Sequence, residues 1–217
     1  MTMSYIIVGL GNPGEEYKKT RHNTGRMLVE WFGKANGIPF LSEAEGEWKE
    51  DKKLNAHVAK VKVGLPTKGR KFAVILILPD TFMNNSGKSI KLFVQGLTLH
   101  NLHKQTEKMI VIYDDLDLPF GTAKISFNKS SGGHRGLESI IKSIKTEKFA
   151  RVRVGISPKT PTGKIKKPKG EETVTKVILG KFKPNEITVL KKLSKKVNEA
   201  LETFVTSGLE KAMTGFN

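Results

Sequence analysis

Cysteine is missing altogether from these 217 residues, which excludes disulfides, thiolate nucleophiles and cysteine-ligated zinc. Long apolar runs are missing too. Stretches such as Phe72 to Leu78 fall far short of the roughly twenty residues of a membrane helix, so no membrane partner is expected. Acidic residues are scarce, 21 Asp and Glu against 38 Lys and Arg, for a formal charge of +17. An excess of that sign gathers polyanions and points to nucleic acid; a merely solvated lysine surface is the bland alternative. Strand-like sequence already begins at Tyr5. With no targeting peptide expected ahead of it, the expected location is the cytoplasm, with the mitochondrial matrix as the alternative.

What is present reads as one α/β domain over residues 1–217, a length that suits a single core. Apolar strand patterns occur at Tyr5 to Leu10, Leu54 to Val63, Phe72 to Leu78, Met109 to Tyr113, Thr122 to Phe127 and Arg151 to Ile156. Helical spacing occurs from Thr24 to Ala35, from Asn85 through about Leu97, after Gly136, and from Pro184 to Gly208. The two periods, 2 and 3.6, distinguish these classes. Residues 41–53 read as a charged loop. The Lys-, Pro- and Gly-rich stretch 157–172 reads as a basic, mobile insertion. Strands alternating with helices predict a single-domain three-layer sandwich, a twisted mixed β-sheet between helices.

Gly9, Gly11 and Gly14 stand in the order G-x-G-x-x-G after the first strand. A dinucleotide site needs those glycines to open a helix at once, so that pyrophosphate meets its amino end. Here Pro13 removes a backbone donor, Glu15 and Glu16 would face the phosphates, and helical periodicity starts only near Met27. The loop fails that test. It does supply Asn12 at a strand exit and, just before the expected helix, His22. The amino end of a helix disfavours protonated imidazole and leaves the ring available as a base. A histidine simply hydrogen-bonded in a turn is the bland reading.

Three further clusters follow strands or precede helices. "TFMNNSG" places Asn84 at a second strand exit, "YDDLDLP" offers Asp114, and "SGGHRG" adds glycine backbone donors and His134. An imidazole, a carboxylate and amides are the parts needed to activate water and hold a carbonyl. A rival reading assigns Asp114, Asp115 and Asp117 to magnesium.

"GLGNPGEEYKKTRHNTG", "TFMNNSG", "YDDLDLP" and "GGHRGLESI" together resemble the bacterial-type peptidyl-tRNA hydrolases, in order and spacing, from about Tyr5 to Lys211. The resemblance implies a monomeric α/β enzyme that cleaves the ester between peptide and tRNA without metal or cofactor. It implies that His22 is the catalytic base, Asp114 its orienting carboxylate, and Asn12 and Asn84 the amides that grip substrate. Tyr17, Phe82, Met83, Gly132, Gly133, His134 and Arg135 would meet the peptide side, and Lys124 and Arg153 the tRNA acceptor end. Arg135 stands where the family usually has Asn, exchanging a donor-and-acceptor amide for a charged donor. That exchange suggests altered turnover, and it leaves an RNA-binding protein with weakened or lost hydrolysis as the alternative function.

Overall fold

Seven strands join in one sheet in the order β2-β3-β4-β1-β5-β7-β6. They are β1 (Tyr5–Gly9), β2 (Lys49–Asp51), β3 (Ala56–Gly64), β4 (Lys71–Pro79), β5 (Met109–Pro119), β6 (Ala123–Phe127) and β7 (Ala150–Ser157). The helices are α1 (Thr24–Ala35), α2 (Ser86–Val94), α3 (Leu99–Glu107), α4 (Arg135–Ile144), α5 (Glu171–Leu179), α6 (Pro184–Ser207) and α7 (Leu209–Phe216). This is a computed structural model, and it describes residues 4–41, 47–64, 69–95, 99–160 and 164–217.

The four central strands, β4, β1, β5 and β7, run parallel. Their Ile- and Val-rich sequences are the kind that can be buried on both faces. β3 and β6 pair antiparallel at the two sides, with β2 beyond β3. Period-2 alternation divides each central strand between two cores. Ile7, Ile110 and Ile112 face the side that holds Leu28 and Phe32 of α1 and Val197, Leu201 and Phe204 of α6. Ile6, Val8, Met109 and Val111 face Ile90 of α2 and Leu137, Ile140 and Ile144 of α4. Each fully buried Leu or Ile contributes roughly 1.5–3 kcal/mol. The result is the three-layer mixed-sheet architecture.

The chain leaves β1 through α1 on one face and reaches β5 through α2 and α3 on the other, with β1 between β4 and β5. The reversal makes the carboxyl ends of these strands a docking crevice. α1 starts close above it. A Cβ on Gly25 would lie 2.1 Å from the Ile112 carbonyl oxygen, so glycine is required for the helix to come this near, and His22 comes with it.

β2, α3, α5 and α7 were not expected from periodicity. β2 is three charged residues at the sheet edge, within the stretch read as a loop. α5 has no fully buried residue; its apolar side chains lie half-exposed along a cavity. α7 starts directly after Gly208, whose φ of 92° ends α6. Leu97, expected inside the second helix, lies outside the described residues, as do residues 161–163 of the basic stretch. The rest of that stretch includes an antiparallel bridge, Lys159 with Ile165, and a backbone bond from Lys166 N–H to the Pro158 carbonyl.

Candidate active site

A cavity of about 560 Å³ opens at the carboxyl ends of β1, β4 and β5. Asn12, His22, Phe82, Met83, Asn84, Asp114, Gly132, Gly133, His134 and Arg135 all line it, although they come from segments far apart in the chain. Tyr17 does not; its ring packs edge-on against Phe82 at 6.4 Å. Lys124 and Arg153 do not line the cavity; they stand directly opposite one another across β6 and β7, and Arg153 bonds Asp115, which does line it.

His22 sits in a short 3-10 turn, Arg21–Asn23, that runs straight into α1. Its Nδ1 is 3.0 Å from both Asp114 carboxylate oxygens. A carboxylate only accepts, so Nδ1 carries the proton and Nε2 keeps its lone pair. His134 is the N-cap of α4, and its Nδ1 accepts the Leu137 backbone N–H at 3.2 Å. Its proton is therefore on Nε2, which donates to Asp114 at 3.1 Å. His134 was expected on the peptide side; it serves the same carboxylate as His22, with the two rings 4.9 Å apart. Asp114 is only 3% exposed. Burial by itself would push its carboxyl up, but the positive charge the two rings acquire when protonated in acid, together with their hydrogen bonds, outweighs this and holds it well below the usual range. Tyr113 behind it is pushed up to about 12 by burial and the Asp115 charge.

The three neighbouring carboxylates do not converge. Asp114 takes the histidines, Asp115 accepts from Arg153 Nε at 2.7 Å, and Asp117 pairs with Lys167. Divided among four partner residues, they do not form the oxygen cage that the magnesium reading needs. Among the described residues, the group with metal-ligand spacing is His22, Asp114 and His134. Both ring protons that face Asp114 occupy the place a cation would take, and the Leu137 N–H keeps His134 in that tautomer. The donor set fits a metal poorly.

Asn12 is gripped by a residue that the sequence reading missed. Asn23 accepts the Asn12 backbone N–H at 2.9 Å and donates to its carbonyl at 2.8 Å. The Asn12 side-chain oxygen takes the Met83 N–H at 2.8 Å, which leaves its NH₂ as the group to meet a ligand. Asn84 is exposed at the rim. Gly132 and Gly133 have φ of 59° and 82°, a turn that L side chains rarely adopt, and the Gly133 N–H donates to Ser131 Oγ at 3.3 Å. The adjacency of Asn23 to His22 was the available signal for the Asn12 clamp.

α5 forms a wall that motifs could not reveal. Val174, Thr175, Ile178 and Leu179 line the cavity, and Leu179 and Phe82 are 40% and 58% exposed, an apolar surface turned toward the opening. Arg135 Nη2 donates to Glu171 Oε1 at 2.5 Å, and Lys167 reaches Asp117. Two ion pairs thus tie α5 and its lead-in to the opposite side.

A family model described as peptidyl-tRNA hydrolase matches residues 6–217. A protein of Aquifex aeolicus named peptidyl-tRNA hydrolase is 40% identical over 96% of this chain and 93% of its own length. One of Herpetosiphon aurantiacus with that name is 39% identical over 98% of this chain and 90% of its own length. The crystal structure of the Acinetobacter baumannii peptidyl-tRNA hydrolase superposes with a TM-score of 0.77 at 29% identity, over 100% of this chain and 97% of that one.

Proposed function

Since the chain belongs to the peptidyl-tRNA hydrolase family and hydrolyses peptidyl-tRNA, we propose that His22 is the general base of that hydrolysis. Water held beside Nε2 gives up a proton as it attacks the ester carbonyl, and Asp114 stabilises the imidazolium that forms. Asn84 donates to the developing oxyanion. The imidazolium then returns its proton to the departing ribose oxygen. No step uses a metal or cofactor. The observation that carries this reading is the 3.0 Å pairing of His22 Nδ1 with a carboxylate, in a ring whose Nε2 has no protein partner among the described residues.

Specificity follows from which atoms remain available. With its oxygen committed to Met83, Asn12 presents a donor. A donor fits the carbonyl of a peptide amide beside the ester and finds no acceptor in a free ammonium, so unblocked aminoacyl-tRNA is rejected. Phe82, Met83, Ile178 and Leu179 offer apolar surface to the peptide, and the backbone of Gly132 and Gly133 pairs with it. Tyr17 buttresses Phe82. Arg135 reaches a peptide carbonyl or a terminal phosphate only by leaving Glu171. Lys124 and Arg153 hold the phosphates of the acceptor end. We read the chain as one domain acting as a monomer, in the compartment where translation occurs. The relatives bear the name of the hydrolase, and the alternative of an RNA-binding protein without hydrolysis has no support in them.

The test is release of an N-acetylated amino acid from tRNA. His22→Ala should slow it by roughly 10²–10⁴-fold, and EDTA should leave the parent rate unchanged. Near-full activity in a folded His22→Ala protein refutes the assignment; loss in EDTA revives a metal at His22, Asp114 and His134.

A further inference from the structure

Outside the cavity lies a partly buried charge cluster that ties together the segments carrying His22, Asn12 and Asn84. Arg26 stands one turn beyond His22 in α1 and is 8% exposed. Its backbone N–H donates at 2.9 Å to the carbonyl of Leu10, two residues before Asn12. Its guanidinium forks onto β4's exit, with Nη1 donating to the Pro79 carbonyl at 2.8 Å and Nη2 to Asp80 Oδ1 at 2.9 Å. The other Asp80 oxygen accepts from His57 Nδ1 on β3 at 2.5 Å, and the Asp80 N–H donates to the Asn55 carbonyl at 2.8 Å. Asp80 leads from β4 into the 3-10 turn Met83–Asn85 that holds Asn84, and Met83 in that turn is the residue bonded to the Asn12 side chain.

We infer that Arg26, Asp80 and His57 form a positioning cluster that sets Asn84 relative to His22. The inference rests on the roles proposed above for those two residues. None of the three lines the cavity, so they act through backbone placement and not on substrate. A planar guanidinium holding acceptors on two successive residues fixes direction as well as distance. Asp80 accepts at both carboxylate oxygens and donates through its backbone N–H, so the segment leading from it to Asn84 cannot rotate at its start without breaking one of these bonds. Such coupling matters because displacing a reacting group by about 1 Å can cost around 100-fold in rate. A lysine at position 26 would supply charge without the fork.

The experiment is a double-mutant cycle on kcat with N-acetylated aminoacyl-tRNA. Asp80→Asn and Arg26→Lys are each measured in the parent and in Asn84→Ala. Either should lower kcat by about 10- to 100-fold in the parent, with KM little changed. In Asn84→Ala, either should lower it by less than about twofold, because the group being positioned is already gone. If Asp80→Asn fails to fold around an unpaired Arg26 charge, the double variant Arg26→Met, Asp80→Asn takes its place. Unchanged kcat in the parent overturns the inference, as does an equal loss in both backgrounds, which would mark a general structural role. Full activity of Asn84→Ala would instead refute the role assigned to Asn84, and the cluster's role with it.

Discussion

Replacing Asp114 by Asn tests the catalytic geometry at its most buried point. The two side chains have nearly the same shape, so what changes is charge and acceptor count. At 3.0 Å from His22 Nδ1, full charges in an effective dielectric near 20 attract by about 5 kcal/mol. At 1.36 kcal/mol per decade this caps the loss at about four orders of magnitude. An amide keeps one acceptor, so some stabilisation of the imidazolium survives. If its NH₂ turns to His22, however, Nδ1 must accept, and the proton moves to Nε2 and abolishes the base. The expected loss in kcat is therefore about 10²–10⁴-fold, read as single-turnover release of N-acetylated amino acid from tRNA. The same variant reports on stability. A carboxyl held below its unfolded value near 3.9 stabilises the fold above that pH and loses the contribution as pH falls through and below it. The gap between parent and Asp114→Asn in urea unfolding should thus be fully present at neutral pH and narrow progressively as pH falls below about 4. A kcat loss of less than tenfold in a folded protein would refute the orienting role.

Other expectations follow from single features. Removing Lys124 or Arg153 should each reduce the slope of log binding constant against log salt by about 1 for uncharged-peptide tRNA substrates, and an unaltered slope excludes that residue from the interface. Burial raises the Glu30 carboxyl above its ordinary value despite nearby Arg26. Its ionisation therefore costs stability as pH rises from the unfolded value upward, and Glu30→Gln should melt at or above the parent at pH 7 and level with it near pH 4. A Gln variant less stable only at neutral pH would contradict this. Gly25→Ala places a methyl 2.1 Å from the Ile112 oxygen and should cost about 3 kcal/mol in urea unfolding; a near-neutral result would show that α1 can step back from the sheet.

Much of the fold was legible because it is written in local period. β1, β4, β5 and β7 fall where apolar runs predicted strands, and α1 and α6 begin at Thr24 and Pro184 as their spacing and start signals require. Two of the unexpected elements share a cause. α5 buries no residue completely, and β2 is charged throughout, so neither leaves a periodic trace. At the site, the types needed for hydrolysis were recognisable at strand exits, and their resemblance to a known family named their roles. Atomic partners were not legible. Nothing near His134 in the chain announces that it bonds Asp114, nor does anything near Arg135 announce Glu171, thirty-six positions on.

The residues themselves settled which segments become the central strands and the helices α1, α2, α4 and α6, and which side chains able to move protons stand at the strand exits, since each depends on neighbours a few positions away. Only the folded sheet decided that Asp114 serves two imidazoles, that Asn12 spends its oxygen on Met83, and that α5 walls the cavity. Those outcomes depend on strand order. His22 and Asp114, 92 positions apart, meet because β1 lies beside β5 and glycine lets α1 settle onto both.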